Sequence, residues 1–166
     1  MENKDNQHKR FNMLRIMLNT NVFCRPFDDK TDPEIQAESD YSERIIELAE
    51  LKQIKIVASD ILYAELGLIE DERKRDIVLN EINGVSQERI NTNDKIHSLA
   101  QELGSLISDY SDDLHIASAA VSGCECLVTC DKQLAKARSK IESFLLSKGY
   151  RLKILAPKEF IDSFGD

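Results

Sequence analysis

Long apolar runs are missing from the 166-residue sequence, and its first ten residues mix both charges. A membrane-spanning helix needs about 20 predominantly apolar residues, and a secretory signal peptide needs a basic segment followed by an apolar one. We therefore expect a cytoplasmic protein with no membrane partner. Prolines number only 3, while hydrophobic residues make up 42% of the chain. This composition excludes a disordered chain and is sufficient for one hydrophobic core.

Cysteine, glycine and positive charge are also scarce. The 4 cysteines of a chain without an export signal are expected to be reduced thiols, which excludes a disulfide scaffold. The 6 glycines form no phosphate-binding loop, so the sequence gives no support to a kinase or an NTPase. With 30 acidic against 22 basic residues, the net charge is -8. That balance argues against a protein that binds nucleic acid by charge alone.

The negative charge is unevenly distributed along the chain. Residues 1–15 carry +2 and residues 131–166 carry +3, which leaves -13 on the stretch between them. The basic C-terminal segment has two interpretations, an RNA-facing edge or an ordinary solvated helix face, and the second is the simpler. The candidates for the first are Lys132, Lys136 and Arg138.

Short apolar segments alternate with segments of helical periodicity. The pattern predicts strands at 14–18, 54–58, 127–129 and 152–155, an extended piece near Ile90, and a loop at 25–33. Helices are predicted to begin near Ser42, Asp60, Asp71, Asn93 or Asp94, Asp112 and Asp131. Ser111 is the expected N-cap of the helix that begins at Asp112, and the helix from Asp71 is expected to end at Asn83 and Gly84. This alternation predicts a three-layer α/β/α domain with a mainly parallel central sheet over residues 13–166, preceded by a polar lead at 1–12.

Oxygen-bearing side chains follow the predicted strands. Asn19 and Asn21 come directly after the first strand, Asp131 follows the strand at 127–129, and Asp112 begins a helix, while Glu65 interrupts an apolar helix face. Ligands of such sheets bind beyond the carboxyl ends of the strands. Converging carboxylates repel one another unless a cation neutralises them, and oxygen ligands suit Mg²⁺ or Mn²⁺. The alternative for the two aspartates is simple stabilisation of helix N-termini.

Four segments, taken in order, resemble the motifs of PIN domains, the nuclease fold of many prokaryotic toxins and RNA-processing enzymes. They are LNTNVF with the following RPFDD, then ILYAEL, DDLHIASA and LVTCDKQL, within residues 13–160. The resemblance implies an endoribonuclease that hydrolyses RNA phosphodiester bonds, with single-stranded RNA as substrate and Mg²⁺ or Mn²⁺ as cofactor. It also implies candidate partners, namely a small antitoxin-like protein and a second copy of the chain.

The resemblance places the family's catalytic and metal-binding acids on particular residues of this chain. They fall at Asn19, Glu65, Asp112 and Asp131. We prefer Asp112 to the adjacent Asp113 because the family's acid stands three residues before the position of His115. The residues expected to support the site are Asn21, Thr129, Asp113 and His115, of which His115 is predicted to orient Asp112.

One position departs from the family pattern, since Asn19 stands where the family has an aspartate. An amide supplies a neutral oxygen in place of a full negative charge, which predicts weakened or absent catalysis. Asn19 is either natural, in a variant with weak or no catalysis, or an engineered substitution that allows a toxic nuclease to be produced safely. Three functions therefore stay open: an active ribonuclease, a non-catalytic module that binds RNA or a protein, and the toxin of a toxin–antitoxin pair.

The cysteines at 124, 126 and 130 invite comparison with a zinc site. Their spacing is not that of a paired zinc knuckle, and no histidine follows at zinc-finger distance. We expect small buried thiols around a strand instead.

Overall fold

Five parallel strands form one sheet in the computed structural model, which describes residues 13–107 and 109–164. The strands are β1 (Leu14–Leu18), β2 (Ile54–Ser59), β3 (Ser86–Ile90), β4 (Cys126–Val128) and β5 (Lys153–Leu155). Their order across the sheet is β3-β2-β1-β4-β5, and every neighbouring pair is parallel. The predicted parallel sheet is confirmed, and the polar lead at 1–12 lies outside the described residues.

Helices connect the strands in chain order. They are α1 (Thr20–Cys24), α2 (Pro33–Glu50), α3 (Asp60–Leu66), α4 (Glu72–Val85), α5 (Asp94–Leu103), α6 (Tyr110–Val121), α7 (Lys132–Ser147) and α8 (Pro157–Phe164), with a 3₁₀ turn at Arg25–Phe27. Within residues 13–107 and 109–164, no helix combines the length and the apolar composition that a bilayer span requires.

Side chains of each strand alternate between two hydrophobic cores, because successive residues of a strand point to opposite faces of the sheet. In β1, Ile16 and Leu18 pack into one core while Met17 packs into the other. The first core is completed by buried side chains of α1, α2, α3, α4 and α8, and the second by those of α5, α6 and α7. The predicted three-layer α/β/α arrangement is thus confirmed.

The first long helix begins well before the predicted start at Ser42, which lies buried in its interior. The Asp32 carboxylate accepts the Glu34 N–H at 2.9 Å, and Pro33 occupies the first helical position. Aspartate at the N-cap and proline directly after it are favourable helix starts. The predicted loop at 25–33 is therefore shorter, and its last residues initiate α2.

Two other helix ends also differ from the prediction. The N-cap of α6 is Asp109, not Ser111, because the Asp109 carboxylate accepts the N–H groups of Ser111 and Asp112 at 2.9 and 3.3 Å. The helix α4 continues beyond Gly84, since burial of Val85 in the core outweighs the roughly 1 kcal/mol cost of an interior glycine.

Candidate functional site

The candidate site lies where the carboxyl ends of β1 and β4 meet. The chain leaves β1 towards β2 on one side, whereas β4 pairs with β1 on the other, so the connections diverge between these two strands. Such a divergence point is where open α/β sheets bind ligands. The Asn19 N–H donates to the Val128 carbonyl at 2.9 Å and holds the two strand ends together. Position 19 is therefore at the centre of this edge.

Asn19 is a buried polar residue, 4% exposed, whose amide is hydrogen-bonded on both sides. Its Oδ1 accepts the Thr20 N–H at 2.8 Å, which makes Asn19 the N-cap of α1. Its Nδ2 donates to Thr129 Oγ1 at 3.1 Å. The side chain therefore joins the start of α1 to the end of β4.

Thr129 Oγ1 receives two further hydrogen bonds. Asn21 Nδ2 donates to it at 3.3 Å and the Asp131 N–H at 3.1 Å. Asn21 Oδ1 accepts the Cys130 N–H at 3.0 Å, so that side chain also spans β1 and β4. Three donors thus face one hydroxyl oxygen, which has only two acceptor lone pairs and one proton of its own.

Glu65 lies in the last turn of α3 and contacts a buried histidine of α6. His115 Nε2 hydrogen-bonds Glu65 Oε1, and the imidazole is 1% exposed. Burial raises the pKa of Glu65, but the hydrogen bond and charge of His115, with the hydroxyls of Thr20 and Ser111, lower it below its usual value overall. His115 therefore supports Glu65, which lies on α3. The sequence predicted that it would orient Asp112, which lies on α6 with His115 itself.

Asp112 lies half-buried in the first turn of α6. Burial raises its pKa to about 6, with further increases from the charges of Asp109 and Asp131, a decrease from His115 and an increase from Glu65. These groups come from α3, from the start of α6 and from the loop that precedes α7. The structure therefore brings three predicted acids, Glu65, Asp112 and Asp131, within electrostatic reach of one another.

Asp131 has a structural role as the N-cap of α7. Its Oδ1 accepts the N–H groups of Gln133 and Leu134 at 2.8 and 3.4 Å. Among the described residues, no hydrogen bond reaches its other carboxylate oxygen. The helix-start interpretation of Asp131 is thus correct, and Oδ2 stays available to a ligand.

Asp113 is directed away from this group. The residue is 2% exposed, and a methyl group in place of the Gly104 hydrogen would lie 3.7 Å from Asp113 Oδ2. Gly104 follows α5 directly, so the carboxyl faces that helix. The choice of Asp112 over Asp113 stays a prediction, and of the two only Asp112 lies within electrostatic reach of Glu65 and Asp131.

The basic residues predicted to face RNA have different surroundings. Lys132 pairs with Glu34 at 2.7 Å, and the head of Arg138 is held by both oxygens of Glu159 at 2.7 and 2.8 Å. Lys136 is exposed. Arg138 is therefore occupied by an internal pair, whereas the two lysines remain accessible.

Asp109 is the site residue that sequence reasoning missed. Its charge raises the pKa of Asp112, and its carboxylate caps the helix that carries Asp112. An aspartate two residues before a serine at a helix start was the available signal, but Ser111 gave an equally good cap. Thr20 and Ser111, whose hydroxyls lower the pKa of Glu65, were not identified either.

Glu65, Asp112 and Asp131 influence one another electrostatically, but they do not surround a common point. Within the part of the chain that the structure describes, no group of three His, Cys, Asp or Glu side chains is close enough to hold a metal ion. Asp112 is nevertheless held near other carboxylates in a half-buried position, where ionisation is costly. This donor set, with its unfavourable negative charge, fits a hard divalent cation.

The cysteines belong to the packing of the fold. All 4 are free, and those at 124 and 126 are buried. Burial, with smaller contributions from neighbouring groups, raises the pKa of the Cys126 and Cys130 thiols to about 12, so neither is a reactive thiolate at neutral pH. The expectation of reduced, buried thiols around β4 agrees with their positions.

Comparison with known proteins adds no family assignment. The chain matches no protein-family model and no curated protein. The resemblance to PIN domains therefore rests on the four sequence motifs.

Proposed function

We propose that the protein is a PIN-type, divalent-metal-dependent endoribonuclease that hydrolyses phosphodiester bonds of single-stranded RNA. The observation that carries the proposal is the electrostatic coupling of Asp112 to Asp131 and Glu65 at the β1–β4 edge, beside Asn19. Carboxylates from three separate elements lie within electrostatic reach of one another at the edge where a parallel sheet binds its ligands. Free cysteines agree with a proposed cytoplasmic location.

The residues that would hold Mg²⁺ or Mn²⁺ are Glu65, Asp112 and Asp131. The side-chain oxygen of Asn19, Oδ1, would occupy the fourth ligand position. A bound divalent ion would lower the pKa of a water molecule and would stabilise negative charge that develops on phosphate oxygens. Asp112 contributes a charge only when ionised, and its pKa is about 6. RNA cleavage at sub-saturating metal concentrations should therefore fall as the pH drops below about 6, because protons then compete with the ion for Asp112.

The other residues of the edge hold the acids in place. His115 keeps Glu65 ionised and fixes its orientation through Nε2. Thr129 connects Asn19 to the Asp131 backbone, so the fourth ligand position and the α7 N-cap move as one unit. A displacement of about 1 Å at a reacting group can reduce a rate by a factor of about 100, so this coupling matters for catalysis.

The hydrogen bonds around Thr129 favour a carboxylate at position 19 over an amide. With Asn19, three donors compete for the two lone pairs of one hydroxyl oxygen. A carboxylate would accept the Thr129 proton, which leaves the two lone pairs for Asn21 and for the Asp131 N–H. Aspartate is also as good an N-cap as asparagine. We therefore expect Asn19→Asp to be tolerated by the fold.

The direct test is restoration of the acid. Asn19→Asp should raise the Mg²⁺- or Mn²⁺-dependent cleavage of single-stranded RNA at least about 100-fold, the usual scale for one catalytic group. Cleavage is measured on several labelled RNAs, with and without chelator. Asn21→Asp is the matched control, because it adds the same charge to the other amide that contacts Thr129, and it should not restore cleavage.

Two results would contradict the proposal. If Asn19→Asp binds no divalent ion and cuts none of the RNAs, the enzyme proposal fails. If the Asn19 protein already cuts as fast as Asn19→Asp, our account of position 19 is wrong.

The second candidate is a non-catalytic module that binds RNA or a protein. It is favoured by the Asn19 amide, which has a hydrogen-bond partner on both of its atoms and so needs no metal. RNA binding that is insensitive to chelator, with no cleavage by Asn19→Asp in the same assay, would support it. A toxin role, an antitoxin-like partner and a second copy of the chain stay predictions.

A further inference from the structure

A cavity of about 260 Å³ opens directly beside the candidate site. It shares Thr129 and Asp131 with the site, and its other walls come from Cys130, from α2, from the first turn of α7 and from the start of α8. Pockets for whole drug-sized ligands measure roughly 300 to 1,000 Å³, so this cavity has room for one planar ring system and little more. The candidate site therefore continues into a small binding pocket.

The walls of this cavity suit an uncharged aromatic ring. Tyr41 supplies a half-buried aromatic side chain, and the neighbouring surface is largely apolar, from Ala135, Ala156 and Pro157. Acidic Glu34 and Glu38 also line it, which disfavours a phosphate inside the cavity. A neutral nucleobase is compatible with both the apolar walls and the acids.

Two lysines stand at the rim of the cavity. The side chains of Lys132 and Lys158 are 69% and 63% exposed, and each pairs with an exposed acid, Glu34 at 2.7 Å and Asp162 at 2.5 Å. Exposed ion pairs contribute roughly 0 to 1 kcal/mol, so both ammonium groups can exchange these partners for phosphates at little cost. The rim therefore provides charge for a nucleic-acid backbone, while the interior provides a surface for a base.

We propose that this cavity receives one unstacked base of single-stranded RNA, next to the phosphate that lies at the Asp112 and Asp131 edge. Tyr41 stacks on the base, while Lys132 and Lys158 contact the flanking phosphates. Proteins commonly recognise single-stranded RNA by splayed bases stacked on aromatic side chains. The inference rests on the proposed function for its substrate class, but it concerns binding and not cleavage.

The test measures binding of the Asn19 protein to a labelled 12-nucleotide single-stranded RNA by fluorescence anisotropy, in EDTA and separately in Mg²⁺. Tyr41→Ala should weaken binding about 5- to 150-fold in both buffers, the range for losing one base–aromatic stack. Tyr41→Phe should retain most of the affinity because it keeps the ring. Tyr150→Ala is the matched control, since Tyr150 lines a different cavity and should leave affinity unchanged.

A second pair of variants tests the rim. Lys132→Ala should weaken binding and reduce its dependence on salt concentration, because one phosphate contact is lost. Lys52→Ala is the control, because Lys52 is exposed, lies outside the cavity lining and precedes the amino end of β2, at the opposite end of the sheet; it should change neither quantity.

Tyrosine fluorescence gives an independent readout, since the protein has no tryptophan and 4 tyrosines. Nucleoside monophosphates should quench part of the emission of the Asn19 protein. Tyr41→Phe should remove that part of the quenching while keeping RNA affinity.

The inference is overturned if the Asn19 protein binds no RNA, or if Tyr41→Ala binds as tightly as the Asn19 protein or loses no more affinity than Tyr150→Ala. Cleavage by Asn19→Asp without any Tyr41 dependence of binding would leave the proposed function standing and reject the base pocket. If binding depends on Tyr41 but Asn19→Asp does not cleave RNA, the base pocket is supported and the proposed ribonuclease function is rejected.

Discussion

Asp112 and Asp113 are adjacent in the first turn of α6, yet they lie in opposite surroundings. Both have a pKa raised to about 6, and burial is the largest cause for each. Asp112 is half-buried among charges from other elements, including Asp131 and Glu65. Asp113 is 2% exposed, has one carboxylate oxygen without a hydrogen-bond partner, and faces the end of α5.

The same pKa therefore has different consequences on the two sides of one helix. Around Asp112, the unfavourable charge comes from several acids at an accessible edge, so a cation from solution can relieve it. Around Asp113, the added charge comes mainly from Asp112 and Asp109, and the carboxyl is packed in the protein interior. A perturbed pKa is a better indicator of function when its causes lie in an open cleft.

The largest expected effect separates the two aspartates by activity. In the Asn19→Asp background, Asp112→Asn should reduce metal-dependent RNA cleavage at least about 100-fold, because it removes a proposed metal ligand. Asp113→Asn should stay within a few-fold of its parent, as measured by initial rates at saturating Mg²⁺. If the two variants lose the same fraction of the cleavage rate, the different surroundings of Asp112 and Asp113 do not determine which one is catalytic.

The effect of metal ions on thermal stability should also distinguish Asp112 from Asp113. Mg²⁺ or Mn²⁺ at 100 times its Kd should raise the Tm of the Asn19 protein by about 5 to 11 °C at pH 8, since it contributes roughly 2.7 kcal/mol and 1 kcal/mol corresponds to about 2 to 4 °C in a chain of this size. The shift should shrink at pH 5, where Asp112 is mostly protonated. It should disappear in Asp112→Asn and persist in Asp113→Asn, as read by differential scanning fluorimetry.

The smallest expected effect is on stability against pH. A carboxyl with a raised pKa binds its proton more tightly in the folded protein than in the unfolded chain. The stability contributed by Asp113 is therefore fully present below the ordinary aspartate pKa of about 4, and it is lost as the pH rises through about 6. Asp113→Asn should raise the free energy of unfolding by about 1 to 2 kcal/mol at pH 8 and leave it nearly unchanged at pH 4.

Urea unfolding at both pH values measures this difference. Asp113→Ala is a useful companion variant, because it also removes the charge without leaving a polar group in the interior. A gain that is the same at pH 4 and pH 8 would mean that the ionised carboxyl is not the cause.

Local sequence patterns predicted the fold well because they act over short distances. The β-branched segment at 54–58 became β2, and Asn93 caps α5 through the Ile96 N–H at 2.9 Å. The predicted starts of α2 and α6 were wrong because Asp32 and Asp109 cap these helices further upstream. Ser42 and Ser111 are also residue types favoured at helix starts, so residue type alone did not distinguish them from Asp32 and Asp109.

The sequence by itself determined the alternation of strands and helices, the two-sided burial of the strands and the placement of polar residues after β1 and β4. These features follow from periodicity, capping and chain order, all of which are local. Only the tertiary structure decided that His115 hydrogen-bonds Glu65, that Asp112 lies within electrostatic reach of Asp131 while Asp113 faces α5, and that Thr129 joins Asn19 to Asn21. Those contacts connect residues far apart in the chain, and the rotation of α6 and the register of β1 against β4 set their geometry.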